Sequence, residues 1–347
     1  MPESNHLPLG WLKGDGPEAL LVLSSRLRIA RNLEGYAFPH RASEVARKEI
    51  RGKVAEAGKQ ERSLKPMELI ELEKLSLLDR QVLVEDYLVS PHHIQDPSGR
   101  GLLEQPDGTV SIMINEEDHL RLQCFLSGLD LEKGWSILNA VDDAFESHLP
   151  YAFHEQWGYL VACPTNLGTG LRASTLLHLP ALTFLQAMPS LIHSLNQLGI
   201  VVRGFYGEGT VSQGHFYQVS NALSLGPTEE DIVSRVSSVT RQVITQELQA
   251  RDRLVKEQRP LIEDRTWRAF AILKSAHIIN SFEAMEHLSL TRLGVQLGIL
   301  PPVPVGLLNE VILMTRPANL QKHFGVEPDP GKRDIARANY LRNALAI

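Results

Sequence analysis

Five arginines fall in four short segments of this chain, each beside a residue able to do chemistry. Arg26 and Arg28 lie in Ser24-Ser25-Arg26-Leu27-Arg28, and Arg121 closes Asn115-Glu116-Glu117-Asp118-His119-Leu120-Arg121. Arg172 follows Cys163-Pro164-Thr165-Asn166-Leu167-Gly168-Thr169-Gly170-Leu171, and Arg203 opens Arg203-Gly204-Phe205-Tyr206-Gly207-Glu208-Gly209. A guanidinium keeps its proton at physiological pH and presents paired donors that match phosphate oxygens. The chain has 35 lysines and arginines against 41 acids, so the cluster does not come from general basicity. Arginines set among carboxylates suit a site that neutralises a polyphosphate while handling the charge of a second substrate.

Each segment has its own logic. Glu116, Glu117 and Asp118 repel one another and call for a cation, either a guanidinium or Mg²⁺. Glu117 and Arg121 stand four apart and would share a face on a helical turn, where a lone pair would be a solvated ion pair. In the Cys163 segment a strand ends, a Gly168-Thr169-Gly170 loop follows, and a helix is expected from Leu171. Loop amides and a helix amino end would make an anion site with Arg172 in the first turn. No Gly-Lys-Ser/Thr follows, so the loop is not a Walker A motif. A thiol beside cations is favoured as thiolate, whereas a lone cysteine ending a strand is a small buried hydrophobe. Arg203 leads from a strand into a glycine-rich loop whose backbone can approach a ligand, and Arg203 with Glu208 repeats the arginine–carboxylate pairing. His40, His92, His93 and His154 have no metal-ligand spacing and read as surface or core histidines.

The elements that must position these residues read as mixed α and β over the first two thirds. Residues 20–23, 82–84, 110–114, 158–162, 200–203 and 215–219 are strand candidates, several of them continuous apolar runs suited to a buried sheet. Helical patterns span 136–148, 171–198 and 229–249, the second broken or kinked by Pro180 and Pro189. Thr228 caps the third, with Asp231 three residues on. Residues 246–265 are charged, contain Pro260, and read as a helix end and a connection. Beyond them the pattern is helical over 266–287, 289–297, 306–314 and 317–323, with Pro317 in a tolerated first-turn position and 300–304 an extended linker.

At 347 residues and 43% hydrophobic, the chain can bury a full core and divide into two domains. A net charge of −6 gives no reason to expect nucleic acid or an anionic membrane as partner. Cys124 and Cys163 cannot build a disulfide framework, no apolar run approaches the roughly 20 residues of a membrane helix, and the amino terminus lacks signal-peptide features. A cytoplasmic protein with reduced thiols is the expectation.

The 115–121 segment, the run from Cys163 to Ala173-Ser174, and Arg203-Gly204-x-x-Gly207-Glu208 together resemble the catalytic domain of the guanidino (phosphagen) kinases. Within that superfamily the chain resembles the bacterial protein-arginine kinases from about Ser24 to its end. The resemblance implies an α+β fold. A catalytic domain over 24–254, a large antiparallel sheet flanked by helices, would follow an extension at 1–23. An all-α dimerisation and regulatory domain would cover 255–347. It further implies that Arg26, Arg28, Arg121, Arg172 and Arg203 hold the phosphates of ATP. Ser24, Ser25 and Leu27 belong to the same nucleotide segment, and the backbone at Ala173, Ser174, Thr175 and Leu176 and at Gly204, Phe205, Tyr206 and Gly207 lines the nucleotide. Glu117 and Glu208 would bind the substrate guanidinium, with Cys163 touching it from the side. ATP and Mg²⁺ are the implied cofactors, with no metal held by protein ligands. Two positions depart from the pattern: Leu176 replaces a histidine that small-molecule members place near the adenine, and Tyr87 replaces one usual in the bacterial kinases.

The same resemblance bears on the substrate. Small-molecule members carry a helical domain of roughly a hundred residues ahead of the Ser-Ser-Arg segment. Here 23 residues precede Ser24, and a site without that lid would admit an arginine presented by a protein, with a free guanidino compound as the alternative acceptor. Arg333-Asp334-Ile335-Ala336-Arg337-Ala338 matches a motif through which such kinases sense phosphoarginine, so Arg333, Asp334 and Arg337 are expected to form an allosteric pocket. Trp267, Phe270 and Leu273 are apolar residues that dimerisation could pack. Implied partners are an activator protein and a Clp-type protease that degrades the marked proteins, with control of a stress-response repressor.

Overall fold

A computed structural model of the chain describes residues 9–60, 66–204 and 213–346. Among them an eight-stranded antiparallel sheet is built from β1 (Val22–Arg31), β2 (Glu68–Glu71), β3 (Gly101–Glu104), β4 (Val110–Ile114) and β5 (Leu120–Ser127), with three later strands. A separate hairpin pairs β6 (Phe153–His154) with β7 (Gly158–Tyr159). The sheet is completed by β8 (Leu171–His178), β9 (Ile200–Gly204) and β10 (Phe216–Asn221), in the order β2-β3-β4-β5-β1-β8-β10-β9.

The helices are α1 (Glu44–Gln60), α2 (Leu77–Glu85), α3 (Leu131–Glu146), α4 (Pro180–Phe184) and α5 (Met188–Gln197). Then come α6 (Glu229–Ser275), α7 (Ser281–Gln296), α8 (Val305–Met314), α9 (Pro317–Phe324) and α10 (Pro330–Ala344). Helices α1, α3 and α6 cover one face of the sheet, which supplies Leu27, Ile29, Leu122, Cys124, Ala173 and Val219 to the main core. Leu23 and Phe216 belong instead to a second cluster with Leu273, Met285, Leu308 and Leu341, so the carboxy-terminal helices close over the opposite face. Trp11, Phe125, Met113 and Leu313 form a third cluster beside it.

Local sequence accounts for several boundaries. The Thr228 hydroxyl accepts from the Asp231 amide at 3.2 Å and the Asp231 carboxylate accepts from the Thr228 amide at 3.2 Å, a reciprocal cap that fixes the start of α6. Pro180, Pro189 and Pro317 all sit in first turns, where a missing N–H costs nothing. Thus the two middle prolines open α4 and α5 rather than breaking one helix.

Other expectations are corrected. Residues 82–84 lie in α2, not in a strand, because an apolar triplet fits either period and Ser76 caps a helix with the Asp79 amide at 3.1 Å. Residues 171–178 form strand β8 instead of a helix, and only Gly158 and Tyr159 of the 158–162 run pair as a strand. Strand β1 starts at Val22, after a turn through Leu20 and Leu21. Within residues 246–265 the expected helix end falls at Gln258, where φ is −136° and ψ 27° just before Pro260, and the connection is reduced to that kink between two helical segments of α6. Phe270 and Leu273 are internal, so of the three residues expected to pack a dimer Trp267 alone is exposed.

Candidate active site

The register of the sheet gathers the arginines. Directly paired residues and residues two apart on a strand share a face. Arg28 pairs with Arg172 on one side and Gln123 on the other, Arg26 with Ser174 and Phe125, and Arg203 with Gln218, which pairs with Leu176. Arg121 stands two residues from Gln123 on β5, so all five guanidinium groups rise from the face opposite the main core. Arg26 donates to Gln123 Oε1 at 2.9 Å and lies over the Phe125 ring at 5.0 Å, while Arg172 donates to Ser220 Oγ at 3.3 Å. Burial, then the neighbouring guanidinium of Arg121, pulls Arg26 down to about 9, and burial with Arg26 and Arg121 holds Arg28 well below its ordinary value. Cations crowded together and kept from water are balanced best by a polyanion.

The three acids have three different tasks. Asn115, with φ of 62°, turns the chain between β4 and β5, and no helix forms there. Arg121 therefore pairs with Glu116 at 2.6 Å, not with Glu117. Burial opposes the Glu116 charge, but Arg121, with hydrogen bonds from Ser90 and the Glu117 amide, holds its carboxyl down at about 2. Asp118 Oδ1 accepts from Asn32 Nδ2 at 2.6 Å and from the Ala162 amide at 2.7 Å, pinning the residue before Cys163. Glu117 remains directed at the cavity, and burial together with Asp118 and Glu116 raises its carboxyl above the ordinary range. A carboxylate of raised proton affinity suits a proton acceptor.

The loop after Cys163 is held by backbone approach. Pro164–Asn166 form a single 3₁₀ turn, and Cys163 Sγ lies 3.0 Å from Thr165 Oγ1. Gly170, at φ 68°, accepts from the Ala30 amide through its carbonyl at 3.2 Å, and a Cβ there would meet the Ala30 oxygen at 2.7 Å. Buried Arg31 clamps the same loop, bonding Thr169 O at 2.8 Å and Asp142 at 2.6 Å. Arg172 thus reaches the site from a strand backed by this loop rather than from a helix amino end.

Two cavities open on the arginine face. One, of about 300 Å³, is lined by Glu117, Arg121, Cys163, Arg172, Arg28 and Arg203 among others. The second, of about 550 Å³, shares Arg28 and Arg203 with it and runs past Arg26 and Gln218 to Tyr87, Met285, Ile312 and Arg316. A niche of about 40 Å³ beside Arg26 is lined by Trp11, Ser24, Tyr87, Phe125, Ser174 and Leu176. Strand alternation turns the side chains of Ser25, Leu27, Ala173 and Thr175 to the far face: Ser25 Oγ bonds Gly128 O at 2.8 Å, and Thr175 Oγ1 meets Thr240 Oγ1 of α6 at 3.0 Å. Gly204 ends β9, while Phe205, Tyr206, Gly207 and Glu208 lie outside the described residues.

Sequence reasoning missed the wall made by α7, α8 and the start of α9, since Met285, Ile312 and Arg316 carry no motif. Far from the 300 Å³ cavity, Arg337 is buried, giving Nε to Thr315 O at 2.7 Å and Nη1 to Ile279 O at 2.9 Å while pairing with Asp334 at 2.5 Å. Arg333 and Asp334 are half-buried on the same helix. Arg337 is therefore an internal strut as well as a member of the expected pocket.

Two family models match the chain: "ATP:guanido phosphotransferase, C-terminal catalytic domain" over residues 49–250, and "Protein-arginine kinase McsB C-terminal domain" over residues 259–347. It is 46% identical over 339 residues to a protein-arginine kinase of Desulforamulus reducens, covering 96% of this chain and 95% of that one. The corresponding protein of Symbiobacterium thermophilum is 47% identical over 340 residues, covering 97% and 96%. Among solved structures, lombricine kinase superposes with a TM-score of 0.60 at 26% identity over 68% of each chain. The duplicated taurocyamine kinase of Schistosoma mansoni, with bound transition state analog components, gives 0.60 at 31% identity, over 66% of this chain and a third (33%) of that one.

Proposed function

The chain belongs to the bacterial protein-arginine kinases, ATP-dependent guanidino phosphotransferases acting on proteins, and on that footing we propose how its residues divide the work. Arg26, Arg28 and Arg203 hold the ATP phosphates in the 550 Å³ cavity, and Arg121 and Arg172 reach the transferring phosphoryl group from the 300 Å³ one. Glu117 and Cys163 receive the substrate guanidinium in the 300 Å³ cavity, a task the family resemblance gives to Glu208 as well. The observation that carries this assignment is that the two cavities share Arg28 and Arg203. A phosphoryl group at that junction could pass from one compartment to the other without entering water.

The chemistry follows from charge. A guanidinium is a poor nucleophile because its pKa exceeds 12. Glu117 orients it and accepts a proton as the N–P bond forms and the bond to the departing ADP oxygen breaks. The arginines neutralise charge on the transferring group. Mg²⁺ would enter on phosphate oxygens and water rather than in a dedicated protein cage. Bound there, Mg²⁺ would supply further charge neutralisation.

The wider setting extends the family reading. The kinase works in the cytoplasm, under an activator protein, marking proteins for a Clp-type protease and controlling a stress-response repressor. No helix among the described residues is long and apolar enough to cross a membrane. Exposed Trp267, Ile278 and Phe282 support self-association as a homodimer. Arg333, Asp334 and Arg337 form a phosphoarginine pocket, and the bond from Arg337 to Thr315, which lines the larger cavity, supports a route from it to the nucleotide. Incubation with Mg-ATP and either an arginine-rich protein or free arginine tests the whole. Acid-labile phosphate on the protein is expected. Transfer to free arginine alone would overturn the protein-kinase assignment.

A further inference from the structure

The 550 Å³ cavity changes character along its length. Arg28 and Arg203 line the part shared with the guanidinium compartment; Val84, Met285, Ile312 and Pro317 line the rest together with Glu85, Ser281, Thr315 and one guanidinium, Arg316. None of the helical-domain residues reaches the smaller cavity. A chamber cationic at one end and lined by both apolar and polar side chains at the other fits a nucleoside triphosphate, whose base presents flat apolar faces and a polar edge.

Arg316 is fixed there from both domains. It is buried, donates Nη1 to the Glu85 carbonyl at 2.7 Å, and lies over the Tyr87 ring at 5.0 Å. The next residues lock the arrangement: the Glu85 carboxylate accepts from the amides of Ala318 at 2.9 Å and Asn319 at 2.8 Å, capping α9 from the catalytic domain. Tyr87 itself has φ of 63°, a left-handed backbone that a bulky side chain adopts at a cost and that concentrates at functional sites. Gln123 joins the two ends of the chamber, giving Nε2 to the Tyr87 carbonyl at 2.9 Å and accepting from Arg26 at 2.9 Å.

We propose that Arg316, carried by the helical domain and seated against Tyr87, is a base-positioning residue of the ATP site. The helical domain thereby builds part of the nucleotide pocket. A planar guanidinium can stack on a purine as it does on an aromatic ring, and the carbonyl of Glu85 holds its plane. This rests on reading the larger cavity as the ATP site.

The test uses the full-length chain and two probes, ATP and inorganic tripolyphosphate, which lacks the base. Arg316→Ala is expected to weaken ATP binding roughly 3- to 30-fold, the span of a cation–π contact. Tripolyphosphate affinity and kcat at saturating ATP should stay unchanged, and Arg316→Lys should recover part of the loss. Arg28→Ala should weaken both probes. If Arg316→Ala fails to fold, Tyr87→Leu should give the same selective loss. Equal weakening of both probes, or of neither, in the folded variants overturns the proposal. Wild-type protein that binds neither probe, or binds both unaffected by Arg28→Ala, overturns instead the assignment of the cavity to ATP.

Discussion

Replacing Glu116 by glutamine keeps the side chain's shape and deletes the charge facing Arg121. The carboxyl is held at about 2 against an ordinary 4.5. At about 1.4 kcal/mol per pH unit the difference is worth about 3 kcal/mol. The Arg121 side chain is 20% exposed, and solvent screening brings this nearer 2 kcal/mol. Because the folded-state value is depressed, the contribution is complete above pH 4.5 and disappears only as pH falls toward 2, so a neutral buffer reads all of it. In the absence of ligand, Glu116→Gln should therefore melt several degrees below wild type. The arginines around it would then have lost their counter-charge, and a polyanion should restore it. Differential scanning fluorimetry with and without tripolyphosphate is the assay: the variant should gain more from the anion than wild type does. A variant that melts with wild type, or gains less from tripolyphosphate, would refute the view of Glu116 as the cage's internal counter-ion.

Two other outcomes are expected. Burial raises Asp86 and Glu104 to about 7 from 3.8 and 4.5, so the folded state binds the extra protons; their contribution is full below the ordinary values and lost as pH rises through about 7. Asp86→Asn with Glu104→Gln should raise the melting temperature relative to wild type more at pH 8 than at pH 5.5, and the opposite trend would contradict the assignment. Cys163 lines the smaller cavity, whereas Cys124 is buried on the core face with its thiol pushed up to about 12. An alkylating reagent should therefore label Cys163 first, and Mg-ATP with a protein substrate should slow it; equal, ligand-insensitive rates would remove Cys163 from the site.

The site was more legible than the elements carrying it. Arg28, Arg121, Cys163, Arg172 and Glu117, far apart in sequence, line one cavity, and their types announced the chemistry. Strand β8 was not legible because it is covered on both faces: Ala173 and Leu177 enter the main core while Ser174 and Leu176 meet the nucleotide side, which erases the alternation that marks a half-buried strand. The pairing of Glu117 with Arg121 failed for a related reason, since spacing of four implies contact only on a helix and this segment is a strand-to-strand turn. Asp118 looked like a third charge needing a cation, yet its partners, Asn32 and the Ala162 amide, are neutral donors brought by distant loops. Arg316 had no motif at all; its role arises where two domains touch.

Helix α6 bears on how this chain can be cut. It spans 47 residues in two helical segments that meet at the Gln258 kink. It starts beneath the sheet, where Val236 and Val243 join the main core, and ends with Leu273 in the cluster of the carboxy-terminal helices. The gap between the two family matches, residues 251–258, covers the turns that run into this kink, where Arg251 is buried against Glu247 at 2.8 Å and Leu254 is fully enclosed. The turns ahead of the kink are packed rather than loose, and a fragment trimmed at the boundary between the matches exposes a severed helix end and opens the larger cavity. Genetic separation of the two halves is therefore expected to yield aggregation-prone pieces rather than a free-standing catalyst and its regulator.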